Sequence, residues 1–467
     1  MRTETISADE ADIDLPDTLP EGWVSTTVGQ IAQVVGGGTP DAKDESNFCA
    51  NGGHAWLTPA DLSGFTGIFI GRGRRNLTPK GLAGSSARLL PHGAVLMSSR
   101  APIGYLAIAA GEIATNQGFK SFICSEAVIP SYLFFWLRYM TPVIHQMGSG
   151  STFLEVSGSK AKEIPIRVPP LSEQRRIVQK VEALLARVGT ARERLRSAPR
   201  WIDAFRDSVL AQAYRGDFRN VSEIDVEGHA EYASLGDLAT DFSYGTSAKS
   251  SASGTTPVLR MGNIQNGKLD WQDLVYTSDP KEIKTYELQP GDVLFNRTNS
   301  PELVGKTALY QGERPSIYAG YLIRIRCSAR LLPAYLNYCL NSPQGHAFCD
   351  SVKTDGVSQS NINATKLRAF PIASISIERQ NRIVRAVDAL LKQADAVEGR
   401  IRSALSRIVV LTQSLLAKAF AGELVPTAAE LAQRENRDYE PASELLERIR
   451  QEPAIKGGVK KPRARRL

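Results

Sequence analysis

The sequence predicts a mixed α/β (α+β) protein in which two globular domains are joined by two long antiparallel coiled-coil helices with pseudo-two-fold symmetry. Three observations carry this expectation. From Pro169, "PPLSEQRRIVQKVEALLARVGTARERLRSAPRWIDAFRDSVLAQAYRGDF" places Ile177, Val181, Leu184, Val188, Ala191, Leu195, Ala198, Ile202, Phe205 and Val209 at alternating spacings of four and three, a heptad seam. At a constant offset of 206 residues, "SISIERQNRIVRAVDALLKQADAVEGRIRSALSRIVVLTQSLLAKAFAGEL" repeats the stripe with Ile383, Val387, Leu390, Ala394, Val397, Ile401, Ala404, Ile408, Leu411 and Leu415. The segments before the two runs also match, block by block. Two helices with matching stripes in one chain have each other as nearest partners.

Taken in order, residues 1–19 form an acidic N-terminal extension and residues 20–168 the first domain. Residues 169–218 form the first long helix, 219–231 a polar linker, 232–374 the second domain, 375–424 the second long helix, and 425–467 a C-terminal helix with a basic tail. "GAVLMSS", "YLAIAA" and "DVLFNR" read as strands, whereas "PSYLFFWLRYM" and "PAYLNYCLNS" open with Pro and read as helices. The domains correspond through "VSTTVGQIAQVVGGGTP" and "YASLGDLATDFSYGTSA", with Gly38 set against Gly245, and through "PHGAVLMSSRAPIG" and "QPGDVLFNRTNSPELVG". Offsets in these blocks wander between 198 and 207, the mark of loops that have diverged on a constant scaffold. Pro199 is expected to end or kink the first helix near Ala198. A parallel helix pair would require the linker of about 15 residues to run back a helix of about 65 Å; an antiparallel pair needs no return.

The chain has 467 residues, enough for two or three cores, and no apolar run long enough to span a bilayer. Five cysteines without CxxC spacing predict reduced thiols in a cytoplasm and no zinc site. Six of the seven net positive charges sit in the tail "KGGVKKPRARRL", so any polyanion-binding surface on the body is a local patch.

"PPLSEQRRIVQKVEALL" with its partner "ISIERQNRIVRAVDALL", together with "LTQSLLAKAFAGEL", "GGGTP", "WLTPADL" and "SSRAPIG", resembles a specificity (S) subunit of a type I restriction-modification system, in the IA-like arrangement, from about Pro20 to Leu424. The resemblance implies that each domain is a target recognition domain reading one half of a bipartite, asymmetric DNA sequence, while the helices set the gap. It implies two modification (methyltransferase) subunits on the helical scaffold and two restriction (endonuclease/translocase) subunits docking on that core. Cofactors would then lie outside this chain, S-adenosylmethionine on the modification subunits and ATP with Mg on the restriction subunits. If the seam counts only up to Pro199, its roughly 42 Å sets the readers about 12 base pairs apart.

A chain of this kind is expected to be non-catalytic, and no catalytic residue or metal ligand set is assigned. "SPELVGKT" has Ser300 where the first glycine of a phosphate loop belongs. No (Asn/Asp)-Pro-Pro-(Tyr/Phe) tetrapeptide occurs, and the five histidines lack HxxxH or HxE spacing. A stand-alone DNA-modifying enzyme would need such a motif. A coiled-coil adaptor without DNA readout would be expected to lack the polar variation seen in the loops. The DNA-contact candidates in the first domain are Arg72, Arg74, Arg75, Lys80, Ser98, Ser99, Arg100, Asn116, Gln117 and Lys120. In the second they are Arg260, Asn263, Asn296, Arg297, Asn299, Lys306, Lys353, Ser358, Gln359 and Asn361. Arg pairs bidentately with guanine and Asn or Gln with adenine, while Lys and clustered Arg hold phosphates.

Overall fold

The apolar runs read as strands form the centres of two sheets with the same strand order, each half-covered by a helix that opens on proline. The structure, a computed structural model, describes residues 18–150, 154–216, 231–356 and 359–451. It falls into two compact units whose boundaries lie between Glu193 and Arg194 and between Ala404 and Leu405.

In the first unit the sheet order is Ala32–Gly36, Phe119–Cys124, Val95–Ser99, Ile103–Ala109, Phe69–Ile70. The first four strands are antiparallel and the last pairs parallel. Helix Pro130–Tyr139 buries seven of its ten residues, Trp136 and Tyr132 among them. A second pairing, Val24–Thr27 with Pro165–Val168, leads into the long helix Leu171–Tyr214. The second unit repeats the plan with Ala239–Tyr244, Leu322–Cys327, Val293–Asn296 and Thr307–Leu309, the helix Pro333–Leu340, and the pairing of Tyr232–Ser234 with Pro371–Ala373 ahead of the long helix Ile377–Phe420.

Each unit takes one part of each long helix. In the first, Ile177 and Val181 share a core with Leu416, Ala419 and Phe420, and the Phe420 ring lies 4.9 Å from Trp136 and 5.5 Å from Tyr132. In the second, Val209 and Ala213 share a core with Ile383 and Val387. The start of one helix thus meets the end of the other in both units, which is antiparallel pairing.

The heptad register holds only in part. Ile177, Val181, Ile383 and Val387 are buried, and Leu184, Val188, Leu195, Leu390 and Ile401 are half-buried. Ala191, Phe205, Val397 and Leu411 are exposed, the last two at 44% and 53%. Their next neighbours turn inward instead: Arg192, Arg206, Glu398 and Thr412 are half-buried. Ala191 is the repeat partner of Val397, and Phe205 of Leu411, so both helices leave the seam at the same two places. A helix of 3.6 residues per turn drifts about 20° per heptad, or about 80° over the four heptads from Ile383 to Leu411.

Pro199 does not end the first helix, which runs unbroken from Leu171 to Tyr214 with the proline inside. The proline removes one backbone hydrogen bond from the helix, a local cost that does not interrupt it, and Ile202 is buried within one turn beyond. The spacing of about 12 base pairs assumed an end there and loses its premise. Pro199→Ala restores the missing N–H and is expected to raise stability by about 1–3 kcal/mol in denaturant titration.

The five cysteines are free, and burial pushes the thiols of Cys124, Cys327, Cys339 and Cys349 up to about 12, which leaves them unreactive. Among the described residues no helix is long and apolar enough to cross a membrane. The C-terminal segment adds helices Ala428–Glu435 and Ala442–Gln451 to the first unit.

Candidate nucleic-acid interface

The two sheets align residue by residue through their hydrogen-bond registers. Gly36 faces Lys120 across the sheet, and Tyr244 faces Ile323; Ser98 pairs with Phe119, and Asn296 with Leu322. Gly38 N–H donates to Thr115 O, and Thr246 N–H to Tyr318 O. These pairings set Gly37, not Gly38, against Gly245. A Cβ on Gly37 would lie 2.0 Å from Asn116 O, and one on Gly245 2.2 Å from Tyr318 O, so both positions require glycine for close backbone approach.

Beyond this glycine, equivalent positions carry different side chains. Ser99 N–H donates to Gly118 O, and Arg297 N–H to Tyr321 O. Val156 N–H donates to Ser99 O, and Ile362 N–H to Arg297 O. Arg100 bridges antiparallel to Glu155, and Thr298 to Asn361. One backbone frame therefore holds Gly36, Ser99, Arg100, Gly118 and Glu155 in the first unit, and Tyr244, Arg297, Thr298, Tyr321 and Asn361 in the second.

In the first unit Lys120 Nζ lies 3.1 Å from Glu155 Oε1 and 3.3 Å from Ser99 Oγ. Arg100 reaches the other carboxylate oxygen at 3.7 Å, with both side chains 37% exposed. In the second unit Arg297 spans the frame: its guanidinium stacks 4.8 Å from the Tyr244 ring centre and donates to Asn361 Oδ1 at 3.3 Å. Asn361 Nδ2 donates to Thr298 Oγ1 at 2.7 Å. Tyr244 and Tyr321 are 42% and 51% exposed, a planar apolar surface beside the amide. Both patches combine a cation with a hydrogen-bonding group at the surface, the chemistry that recognises base edges and backbone together.

The remaining candidates scatter. The side chains of Ser98, Ser99, Asn263 and Asn296 are buried and hydrogen-bonded within the fold. Ser98 Oγ donates to Pro102 O and accepts from Tyr105 N–H, and Ser99 Oγ donates to Gly118 O. Asn263 Nδ2 bonds Asp270 O and Gln272 O, and Asn296 Nδ2 bonds Leu303 O. Lys80 Nζ is held 2.8 Å from Asp44, whose carboxyl it draws down to about 2. Arg75 stacks 4.3 Å from the Phe48 ring centre. Arg72 and Arg74 stay exposed, Arg74 lying 3.9 Å from Asp61. Arg260 donates to Asp273 O, and Lys306 to Gln265. Lys353 donates to Pro301 O and Asp350, which raises its pKa. Asn116 and Asn299 cap their own loops by accepting from Gly118 N–H and Ser300 N–H. Gln117 accepts from Thr39 Oγ1, Gln359 is exposed, and Ser358 lies outside the described residues. The "SPELVGKT" stretch runs into strand Thr307–Leu309, which opens on its last residue, and not into the helix a phosphate loop needs. Among the described residues no group of three or more His, Cys, Asp or Glu is placed to hold a metal ion.

Glu155, Tyr244 and Tyr321 were not among the expected contacts. Glu155 had a signal in the sequence, since adding the helix offset of 206 leads directly to Asn361.

Comparison with known proteins matches residues 20–196 and 230–407 to the family model for the type I restriction modification DNA specificity domain. The chain is 29% identical over 470 residues to the type I restriction enzyme EcoKI specificity subunit of Escherichia coli K12. It is 27% identical over 470 residues to the StySPI specificity subunit of Salmonella potsdam. Both alignments cover 95% of this chain and 98% of the relative. Its fold is similar to a chain solved in work on complex assembly and conformational transition of the type I R-M system, with TM-score 0.68 and 22% identity over 87% of this chain and 100% of that one. It is also similar to the HsdS subunit from Thermoanaerobacter tengcongensis, with TM-score 0.57 and 22% identity over 87% of this chain and 99% of that one.

Proposed function

Because the chain belongs to the type I restriction-modification DNA specificity family, whose members are non-catalytic components that recognise DNA sequence, we propose that its two domains each read one half of a bipartite, asymmetric target. The observation that carries this reading is the shared backbone frame with unlike side chains: Arg100 and Glu155 in one domain, Thr298 and Asn361 in the other. Two identical readers would select a symmetric site, whereas two different readers on one chain select an asymmetric one. The long helices set the gap and carry two modification subunits that hold S-adenosylmethionine and methylate adenine. Two restriction subunits that use ATP and Mg complete the complex, in the cytoplasm.

The test is methylation mapping with the chain assembled on its modification subunits. Two separated sequence blocks across an unread gap are expected, and one uninterrupted motif overturns the reading. Methyl transfer to DNA by the lone chain would favour a self-contained enzyme instead.

Exposed Arg72 and Arg74 then serve as phosphate contacts. Replacing both with Ala is expected to weaken binding to every sequence alike and to lower the slope of log affinity against log salt by about 2. Titrating affinity across salt concentrations checks it, and an altered target sequence counts against that role.

A further inference from the structure

The proposal that each domain reads a half-site leaves open which side chains read bases, and the internal repeat narrows them. Base readers must differ between two domains that select different half-sites, stand in equivalent places, and keep hydrogen-bonding atoms at the surface. Gly36 and Gly118 have no side chain, and Ser98, Ser99 and Asn296 are buried. The frame position held by Glu155 and Asn361 meets all three conditions: one is a carboxylate, the other a carboxamide, and both are partly exposed.

Resting on that reading, we infer that Glu155, with Arg100 beside it, reads a G·C pair for the first domain, and that Asn361 reads an A·T pair for the second. A bare carboxylate facing DNA is repelled by the phosphates. Lys120 at 3.1 Å and Arg100 at 3.7 Å reverse that, giving the trio a net charge of +1. In the major groove cytosine offers its N4 amino group as donor, and its partner guanine offers O6 and N7 as acceptors. Glu155 suits the first and the Arg100 guanidinium the second. Adenine suits a carboxylate less well, because its N7 acceptor would face the second carboxylate oxygen.

Asn361 presents one donor and one acceptor, the complement of adenine N6 and N7. Its present partners, Arg297 on Oδ1 at 3.3 Å and Thr298 on Nδ2 at 2.7 Å, hold the amide orientation that a base would meet. The Arg297–Tyr244 stack fixes the guanidinium, which reaches Asn361 from the frame position of Ser99, as Lys120 reaches Glu155 from the neighbouring strand in the first domain.

The experiment uses the full chain assembled with its modification subunits and a library of duplexes randomised over both half-sites. Wild type, Glu155→Gln and Asn361→Asp are compared by the sequences they retain. Glu155→Gln is expected to shift one position of one half-site from cytosine toward adenine. Asn361→Asp is expected to shift one position of the other half-site from adenine toward cytosine. Each preference changes by about tenfold or more, and the untouched half-site keeps its sequence. Should Glu155→Gln fail to assemble, Arg100→Gln is scored at the guanine of the same pair.

If either variant loses affinity equally for every base at every position, the proposal is overturned and the residue is structural. A wild-type complex selecting no two-part target defeats the parent reading; intact half-sites with unmoved variants defeat only this one.

Discussion

Replacing Gln174 with alanine is expected to destabilise the first unit by about 4 kcal/mol, and the same change at Gln380 to do so in the second. Gln174 is fully buried near the start of its long helix. Its Oε1 accepts from Ile129 N–H at 2.9 Å, and its Nε2 donates to Ala127 O and Pro169 O, both at 2.9 Å. Ile129 caps the helix Pro130–Tyr139, so one amide ties the domain's buried helix to the root of the long helix. Gln380 does the same with Leu332 N–H at 2.7 Å, Arg330 O at 2.9 Å and Ile375 O at 3.0 Å. Alanine strands three backbone groups at the joint, two of them buried around Gln174, and a buried group left unpaired costs about 1–3 kcal/mol. That is a large part of a stability of about 5–15 kcal/mol. Glutamate is no rescue, because both of its oxygens accept and two of the three partners are carbonyls. Hydrogen exchange at the amides of Pro130–Tyr139 checks the mechanism. Unchanged protection there in Gln174→Ala, with wild-type denaturation, would refute the tie.

The same pair explains what was legible in the sequence. "SEQRRIV" and "ERQNRIV" repeat because both glutamines bond backbone atoms at the same joint, and backbone demands do not vary with the target. The offset of 206 is rigid through the helices because inserted residues would rotate every later side chain away from its partner. Strand positions such as Val95–Ser99 and Val293–Asn296 were also readable, since buried central strands impose apolar runs. The loops were not. Whether Ser99 or Lys120 faces solvent depends on a register that only pairing fixes, and Asn296 reads as a contact until burial places it inside. The seam misled in a different way. Its apolar spacing is heptad, yet Arg206 takes the place expected for Phe205 and pairs with Asp395 at 2.8 Å and Glu398 at 2.7 Å. Spacing alone does not reveal such an ion pair.

Ending the chain after Leu424 is expected to cost the first unit about 5 kcal/mol, or a fall of about 10–20 °C in its melting temperature. The sequence predicts a C-terminal helix with a basic tail for this segment, yet the structure packs the helix Ala442–Gln451 into the first core and ties the helix Ala428–Glu435 to Glu173. Ala428 and Ala442 are almost fully buried, and Leu445 and Leu446 keep 3% and 4% exposure within the core that holds Trp136 and Phe420. Each buried leucine contributes about 1.5–3 kcal/mol. Polar ties add to this: Ala442 N–H donates to Gly22 O, and Arg176 to Pro426 O. Glu173, fully buried, accepts from Trp23 Nε1 at 2.9 Å and from Ala428 N–H at 2.8 Å. Burial raises its pKa above the ordinary 4.5, against the pull of those two donors. The folded state therefore binds this proton more tightly than the unfolded chain, and the group's contribution to stability falls as pH rises through the carboxylate range. Truncation strips one donor and the cover from Glu173 while exposing the leucine sites. Cutting instead after Gln451 spares every one of these contacts, so the two cuts separate packing from tail charge. Calorimetry of both forms decides it: equal melting of the two would show that the leucines carry no load, and Leu446→Ala alone should cost about 2–5 kcal/mol.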